Sequence, residues 1–126
     1  MSRTLKVGLV QQQAWPDKQR SLEASEAGIR ELAAQGAELV LLQELHATHY
    51  FCQCEDTELF DLAEPLDGPT GQRLATLARE LDMAIGLTYL EKWEPGPRNT
   101  ISIIDRQGKV ILTYAKLHTC DFGHME

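Results

Sequence analysis

The segment Gly36-Ala37-Glu38-Leu39-Val40-Leu41-Leu42 restricts the fold more than any other part of this chain. Its four consecutive apolar residues could also be buried in a helix, but the run's shortness, and the glycine three residues before it that can end one, favour a strand. An unbroken run of this length suits a strand covered on both faces. Upstream, Leu22, Ile29, Leu32 and Ala33 recur at helical spacing, with Glu23, Glu26, Arg30 and Glu31 on the opposite side. Asp17 is a suitable N-cap and Gly36 a suitable residue just past the end, so the spacing predicts a helix over 18–35. Residues 6–10 form a short apolar, β-branched run ahead of it. Strand, crossover helix and strand make a βαβ unit, whose two strands lie parallel in one sheet.

The second half extends that sheet. Asp67-Gly68-Pro69 is a turn signal, and Thr70 is placed to cap a helix burying Leu74, Leu77, Ala78 and Leu81. Before it, residues 43–69 have no clean periodicity, with room for a brief pairing at Asp61, Leu62 and Ala63. Residues 83–90 read as a strand, and 93–98 as a loop rich in proline and glycine. Residues 99–104 and 109–114 are two strands joined by the hairpin turn Asp105-Arg106-Gln107-Gly108. The order is β-α-β-loop-α-β-β-β, one α/β domain over residues 1–126 with mixed strand directions.

Composition narrows the function. Apolar residues make up 43% of the chain and charged residues 25%, as in an ordinary folded domain. The net charge of −7 disfavours a nucleic-acid partner and would attract a cationic small molecule. No apolar run approaches the roughly 18–20 residues of a membrane span, and the first fifteen residues make a poor signal peptide, so a cytoplasmic location is expected. Three cysteines, Cys52, Cys54 and Cys120, favour free thiols over a disulfide framework. No glycine-rich phosphate loop joins a strand to a helix, and no cofactor is expected.

Two charged residues stand where chemistry gathers. Glu44 lies just past the run 39–42, and in open α/β sheets sites form beyond the carboxyl ends of strands. A partly desolvated carboxylate there would have its charged form disfavoured, and so serve as a general base near neutral pH. Lys116 ends the last strand, where an ammonium can stabilise a developing oxyanion. From position alone, the plainer alternative for each is a solvated surface charge. A third possibility is zinc, since His46, His49, Cys52 and Cys54 fall within nine residues, and His118, Cys120 and His124 form a second group. Their spacing is not that of the common zinc ribbons.

The motif ending Leu41-Leu42-Gln43-Glu44-Leu45 resembles the strand of the nitrilase superfamily that carries the catalytic glutamate, with Gln43 where that family commonly has proline. Tyr114-Ala115-Lys116-Leu117-His118 resembles its lysine motif, often Tyr-Arg-Lys-x-His, and departs from it at Ala115. The intervening helix, the Leu66-Asp67-Gly68-Pro69 turn and the Asn99-Thr100 strand start match in order. Tyr50-Phe51-Cys52-Gln53 and the stretch from Leu59 to Pro65 resemble the N-carbamoylputrescine amidohydrolases within that superfamily.

The resemblance implies a four-layer α-β-β-α sandwich, of which this chain supplies the N-terminal half. It implies cofactor-free hydrolysis of a small-molecule amide or carbamoyl-amine, within polyamine synthesis for the subfamily, in a homo-oligomer. Glu44 would be the base, Lys116 the oxyanion stabiliser, Glu126 the second glutamate that positions the lysine or substrate, and Tyr50 a substrate-binding residue. The nucleophilic cysteine of the family follows the lysine at a distance that none of Cys52, Cys54 and Cys120 matches. The expectation is therefore an N-terminal portion that does not turn over alone, or else a non-catalytic half that binds a partner through its uncovered sheet.

Overall fold

A computed structural model describes residues 2–48 and 61–119. β1 (Val7–Val10), α1 (Lys18–Ala34) and β2 (Leu39–Leu42) form the expected strand-helix-strand unit. Asp17 caps α1, its carboxylate accepting from the Gln19 backbone N–H at 3.0 Å. The helix stops because Gly36 turns left-handed at φ +88°, after which the Ala37 N–H donates back to the Leu32 carbonyl at 3.1 Å. α2 (Pro69–Leu81), β3 (Ala84–Glu91), β4 (Arg98–Ile104) and β5 (Val110–Ala115) complete the chain's regular elements. The five strands lie in sequence order, β1 to β3 parallel and β3 to β5 antiparallel. This is the α/β arrangement with mixed strand directions that the sequence predicts.

Both helices pack on one face of the sheet. Two successive crossovers that advance along a sheet in the same direction, with the same hand, place their helices on the same side. Ile29 of α1 and Leu74, Leu77 and Ala78 of α2 meet Val40, Leu42, Ile85, Leu87, Tyr89 and Ile104 of the strands in a single core. Outside it, Arg30 bonds Glu26 and Glu80, and Arg73 bonds Glu26, tying the helices across their exposed faces.

The other face of the sheet corrects the expectation that β2 is covered on both sides. Val40 and Leu42 are buried, whereas Leu39 and Leu41 are only half-buried. Leu41, Ile101 and Ile103 converge over Gly86, where a side chain on residue 86 would collide with Leu41. Around that centre the apolar surface is open, with Leu9 71% exposed and Leu112 and Tyr114 each 52%.

Local differences have local causes. Gly68, not Thr70, is the N-cap of α2, with Pro69 in its first turn. Glu64 does the capping instead, accepting the Thr70 N–H at 3.0 Å on Oε1 and its hydroxyl at 2.5 Å on Oε2. Glu64 is also where the chain bridges to Glu91, one residue beyond the brief pairing expected at 61–63.

Candidate functional site

β2 and β3 end, and β4 begins, at one edge of the sheet, and β5 returns to it. Alternation along β4 and the pairing of Thr100 with Ala115 put Asn99 and Lys116 beside each other on the open face. The Lys116 backbone N–H donates to the Asn99 carbonyl at 2.8 Å, which fixes that register. From the end of β2, Glu44 reaches over to both. Its Oε1 accepts from Lys116 Nζ at 2.9 Å and from Asn99 Nδ2 at 2.6 Å. The structure thus brings Glu44 and Lys116 together across 72 positions of sequence. Both bonds fall on Oε1.

Glu44 is only partly removed from solvent. Its side chain is 47% exposed and that of Lys116 31%, because the cluster stands at the end of the uncovered face. The sequence marks Asn99 only as a strand start. Its place beside Lys116 was not readable there, since a register shift between Ile103 and Ile104, which the turn at 105–108 does not announce, is what sets residue 99 opposite residue 116.

The turn carrying Glu44 is unusual. Leu45 is buried and adopts φ +51°, a left-handed conformation that costs a leucine roughly 1–2 kcal/mol. Thr88 of β3 holds the turn. Its hydroxyl donates to the Gln43 carbonyl, and the His46 backbone N–H donates to that hydroxyl at 3.4 Å. The His46 ring is fully buried, with Nδ1 2.7 Å from the Thr88 carbonyl oxygen. A carbonyl only accepts, so Nδ1 carries the hydrogen. Burial pulls the His46 pKa down to about 4, which keeps the ring neutral at pH 7. Its Nε2 has no partner among the described residues. Gln43, standing where the resembling family commonly has proline, accepts the Gln12 backbone N–H on its side-chain oxygen at 2.7 Å and so ties β2 to the end of β1.

Two further polar groups brace this edge. Lys18 of α1 pairs with Glu64, and that pairing with the Thr70 bonds outweighs burial, leaving the Glu64 carboxyl below its ordinary pKa. Glu91, buried at the end of β3, accepts from Arg98 and from the Thr100 hydroxyl, and the Arg98 guanidinium lies 3.6 Å over the Trp93 ring.

Tyr50 and Glu126 lie outside the described residues, as do His49, Cys52, Cys54, Cys120 and His124. Of the candidate zinc ligands, His46 is committed to Thr88 and His118 is exposed. Among the described residues no group of three or more such side chains could hold a metal, and no helix is long and apolar enough to cross a membrane.

Comparison with known proteins shows the family and the fold. The family model described as carbon–nitrogen hydrolase matches residues 6–126. An N-carbamoylputrescine amidase of Arabidopsis thaliana is 36% identical over 106 residues, covering 83% of this chain and 36% of that protein. One of Solanum lycopersicum is 32% identical over 121 residues, covering 95% of this chain and 40% of that protein. The chain therefore spans well under half the length of these curated relatives. The crystal structure of a carbon–nitrogen hydrolase from Helicobacter pylori G27 superposes with a TM-score of 0.87 at 22% identity, over 96% of this chain and 42% of that one.

Proposed function

The chain belongs to the carbon–nitrogen hydrolase family, and from that premise we propose that the full-length protein hydrolyses a carbamoyl-amine, N-carbamoylputrescine first among them, through a thioester. The observation that carries this reading is the meeting of Glu44, Lys116 and Asn99 at one sheet edge. The names of the two plant relatives support the substrate class.

In the proposed reaction Glu44 takes the proton of a cysteine thiol, and the thiolate attacks the carbamoyl carbon. Lys116 stabilises the oxyanion of the tetrahedral intermediate. Ammonia leaves with the proton that Glu44 held, so an S-carbamoyl enzyme remains. Glu44 then removes a proton from water, which attacks the same carbon and releases the thiol. The product carbamic acid splits into putrescine and carbon dioxide. Asn99 and Lys116 hold Oε1 of Glu44, which leaves Oε2 to carry the proton. The attacking thiol is assigned to a cysteine other than Cys52, Cys54 and Cys120. Glu126 is assigned as the second glutamate and Tyr50 as a substrate contact, and assembly into a homo-oligomer in the cytoplasm belongs to the same reading.

The test is ammonia release from N-carbamoylputrescine by the full-length protein. Glu44→Gln should lower kcat by about a thousandfold and Lys116→Ala by at least about a hundredfold, with far-UV circular dichroism unchanged. Retained turnover in either variant removes that residue from the mechanism. The exposed apolar face favours one other reading, a partner-binding half without catalysis, and a full-length wild type that releases no ammonia from amides or carbamoyl-amines would favour it.

A further inference from the structure

Glu44 hangs from a turn that is held on both sides by one residue of the neighbouring strand. Gln43 accepts the Thr88 hydroxyl, and His46 meets Thr88 twice, through its backbone N–H and through its ring. Residues 43 and 46 bracket Glu44, and between them Leu45 is left-handed. A leucine returns from that region to the right-handed one unless its neighbours forbid it. Such a return would swing the peptide planes beside Glu44 and carry its carboxylate off Oε1's two donors. Those donors lie beyond β3, on β4 and just after β5, so the carboxylate must be delivered across a whole strand. Bonds of 2.6 and 2.9 Å leave little tolerance for a shift.

We propose that Thr88 and His46 are positioning residues that set the Glu44 carboxylate against Lys116 and Asn99. They touch neither substrate nor reacting atoms; they act through the backbone of residues 43–46. For its kinetic consequence this rests on the hydrolase reading above, while its geometric consequence does not. Each part of the latch has a distinct requirement. Residue 88 needs a hydroxyl that donates to one side of the turn and accepts from the other. Residue 46 needs a donor at the Nδ1 position, and burial keeps the ring neutral, so that it holds the carbonyl without bringing a charge beneath Glu44.

The test compares Thr88→Val, which keeps the shape and loses the hydroxyl, with Thr88→Ser, which keeps the hydroxyl, both in the full-length protein. Thr88→Val should lower kcat roughly 30- to 100-fold with KM within about threefold of wild type, the effect of misplacing a catalytic group by about 1 Å. Thr88→Ser should restore kcat to within about threefold of wild type. A merely structural threonine would instead lower the unfolding midpoint and the folded fraction, at unchanged kcat per folded molecule. A crystal structure of Thr88→Val should show the Lys116 Nζ to Glu44 Oε1 separation opened from 2.9 Å to beyond about 4 Å. An unchanged separation, a kcat within about twofold of wild type, or a Thr88→Ser loss as large as that of Thr88→Val overturns the proposal. If the wild type hydrolyses no amide or carbamoyl-amine, the hydrolase reading fails by itself, and the separation in the Thr88→Val structure decides the latch alone.

Discussion

The His46 imidazole has no access to water, and this makes stability depend on pH. Burial, the largest cause, draws its pKa from 6.5 to about 4, against the Thr88 carbonyl bond that favours the charged ring. Of the charged groups facing it, Lys18 from α1 lowers the value further and Glu64, just before α2, raises it. Between pH 6.5 and 4 the unfolded chain binds a proton that the folded chain does not. This contribution is therefore fully present above pH 6.5 and is lost as the pH falls toward 4, by about 3 kcal/mol in all. His46→Asn keeps a donor near the Nδ1 position and cannot titrate. Urea unfolding of the full-length protein should show a flatter pH dependence over that window for the variant, and an equally steep one would clear His46 as the source. The depressed carboxyls of Glu26 and Glu64 lose their contribution from near pH 4.5 downward, at the acid end of that window, so the slope above pH 4.5 reports His46. As a sequence feature His46 could be read only as a candidate ligand, because burial is set by elements distant in sequence. Glu44 and Lys116 stood out through the motifs that carry them, since a charge just past an apolar run reads equally as a surface charge. Asn99 did not, because what matters about it is the register of a hairpin.

At the scale of elements, α2 begins on a borrowed cap. Gly68 offers no side chain, so Glu64 accepts from Thr70 twice and is held in turn by Lys18 of α1. One carboxylate thus joins the starts of both helices to β3, where the Glu64 backbone pairs with Leu90 and Lys92. Glu64→Ala should lower the unfolding free energy by about 2–3 kcal/mol, since it strands a half-buried ammonium and a helix N–H together. Glu64→Gln keeps the acceptor for Thr70 and should recover about half of that. Equal losses in denaturant titration would mean that the Lys18 charge pair, not the cap, carries the effect. The helices and strands themselves were legible from the apolar pattern, with bounds off by one residue at β1, α1, β3, β4 and β5. Glu64 as a cap was not, because a capping carboxylate six residues before the N–H that donates to it leaves no local pattern. The one-sided cover of β2 followed only from the family resemblance, which implies half a sandwich with an uncovered sheet face, and not from the run itself. Four apolar residues in a row look the same whether the second face meets a helix, another sheet or water.

For the whole molecule, that second face couples stability to chemistry. Leu9, Leu41, Ile103 and Leu112 are linked through the strand pairing and share the face, and the Glu44–Lys116–Asn99 cluster stands at its end. An apolar surface of this extent invites association when exposed. The 126-residue chain expressed alone should therefore self-associate in light scattering, and Leu9→Lys with Leu112→Lys should make it monodisperse. In the full-length protein the same pair of substitutions should be strongly destabilising, because a sandwich built as the family implies would bury both ammonium groups. A pair that is harmless in both contexts would mean that this face stays in water, and the sandwich expectation would fall. In the proposed reaction the same cover bears on catalysis. With Glu44 at 47% exposure, water competes for the bonds that the carboxylate makes. Closing the face would exclude that water and strengthen the Lys116 and Asn99 contacts in a lower dielectric. The 126-residue chain alone should accordingly release no ammonia from N-carbamoylputrescine even when Leu9→Lys and Leu112→Lys keep it soluble, which separates loss of chemistry from loss of solubility.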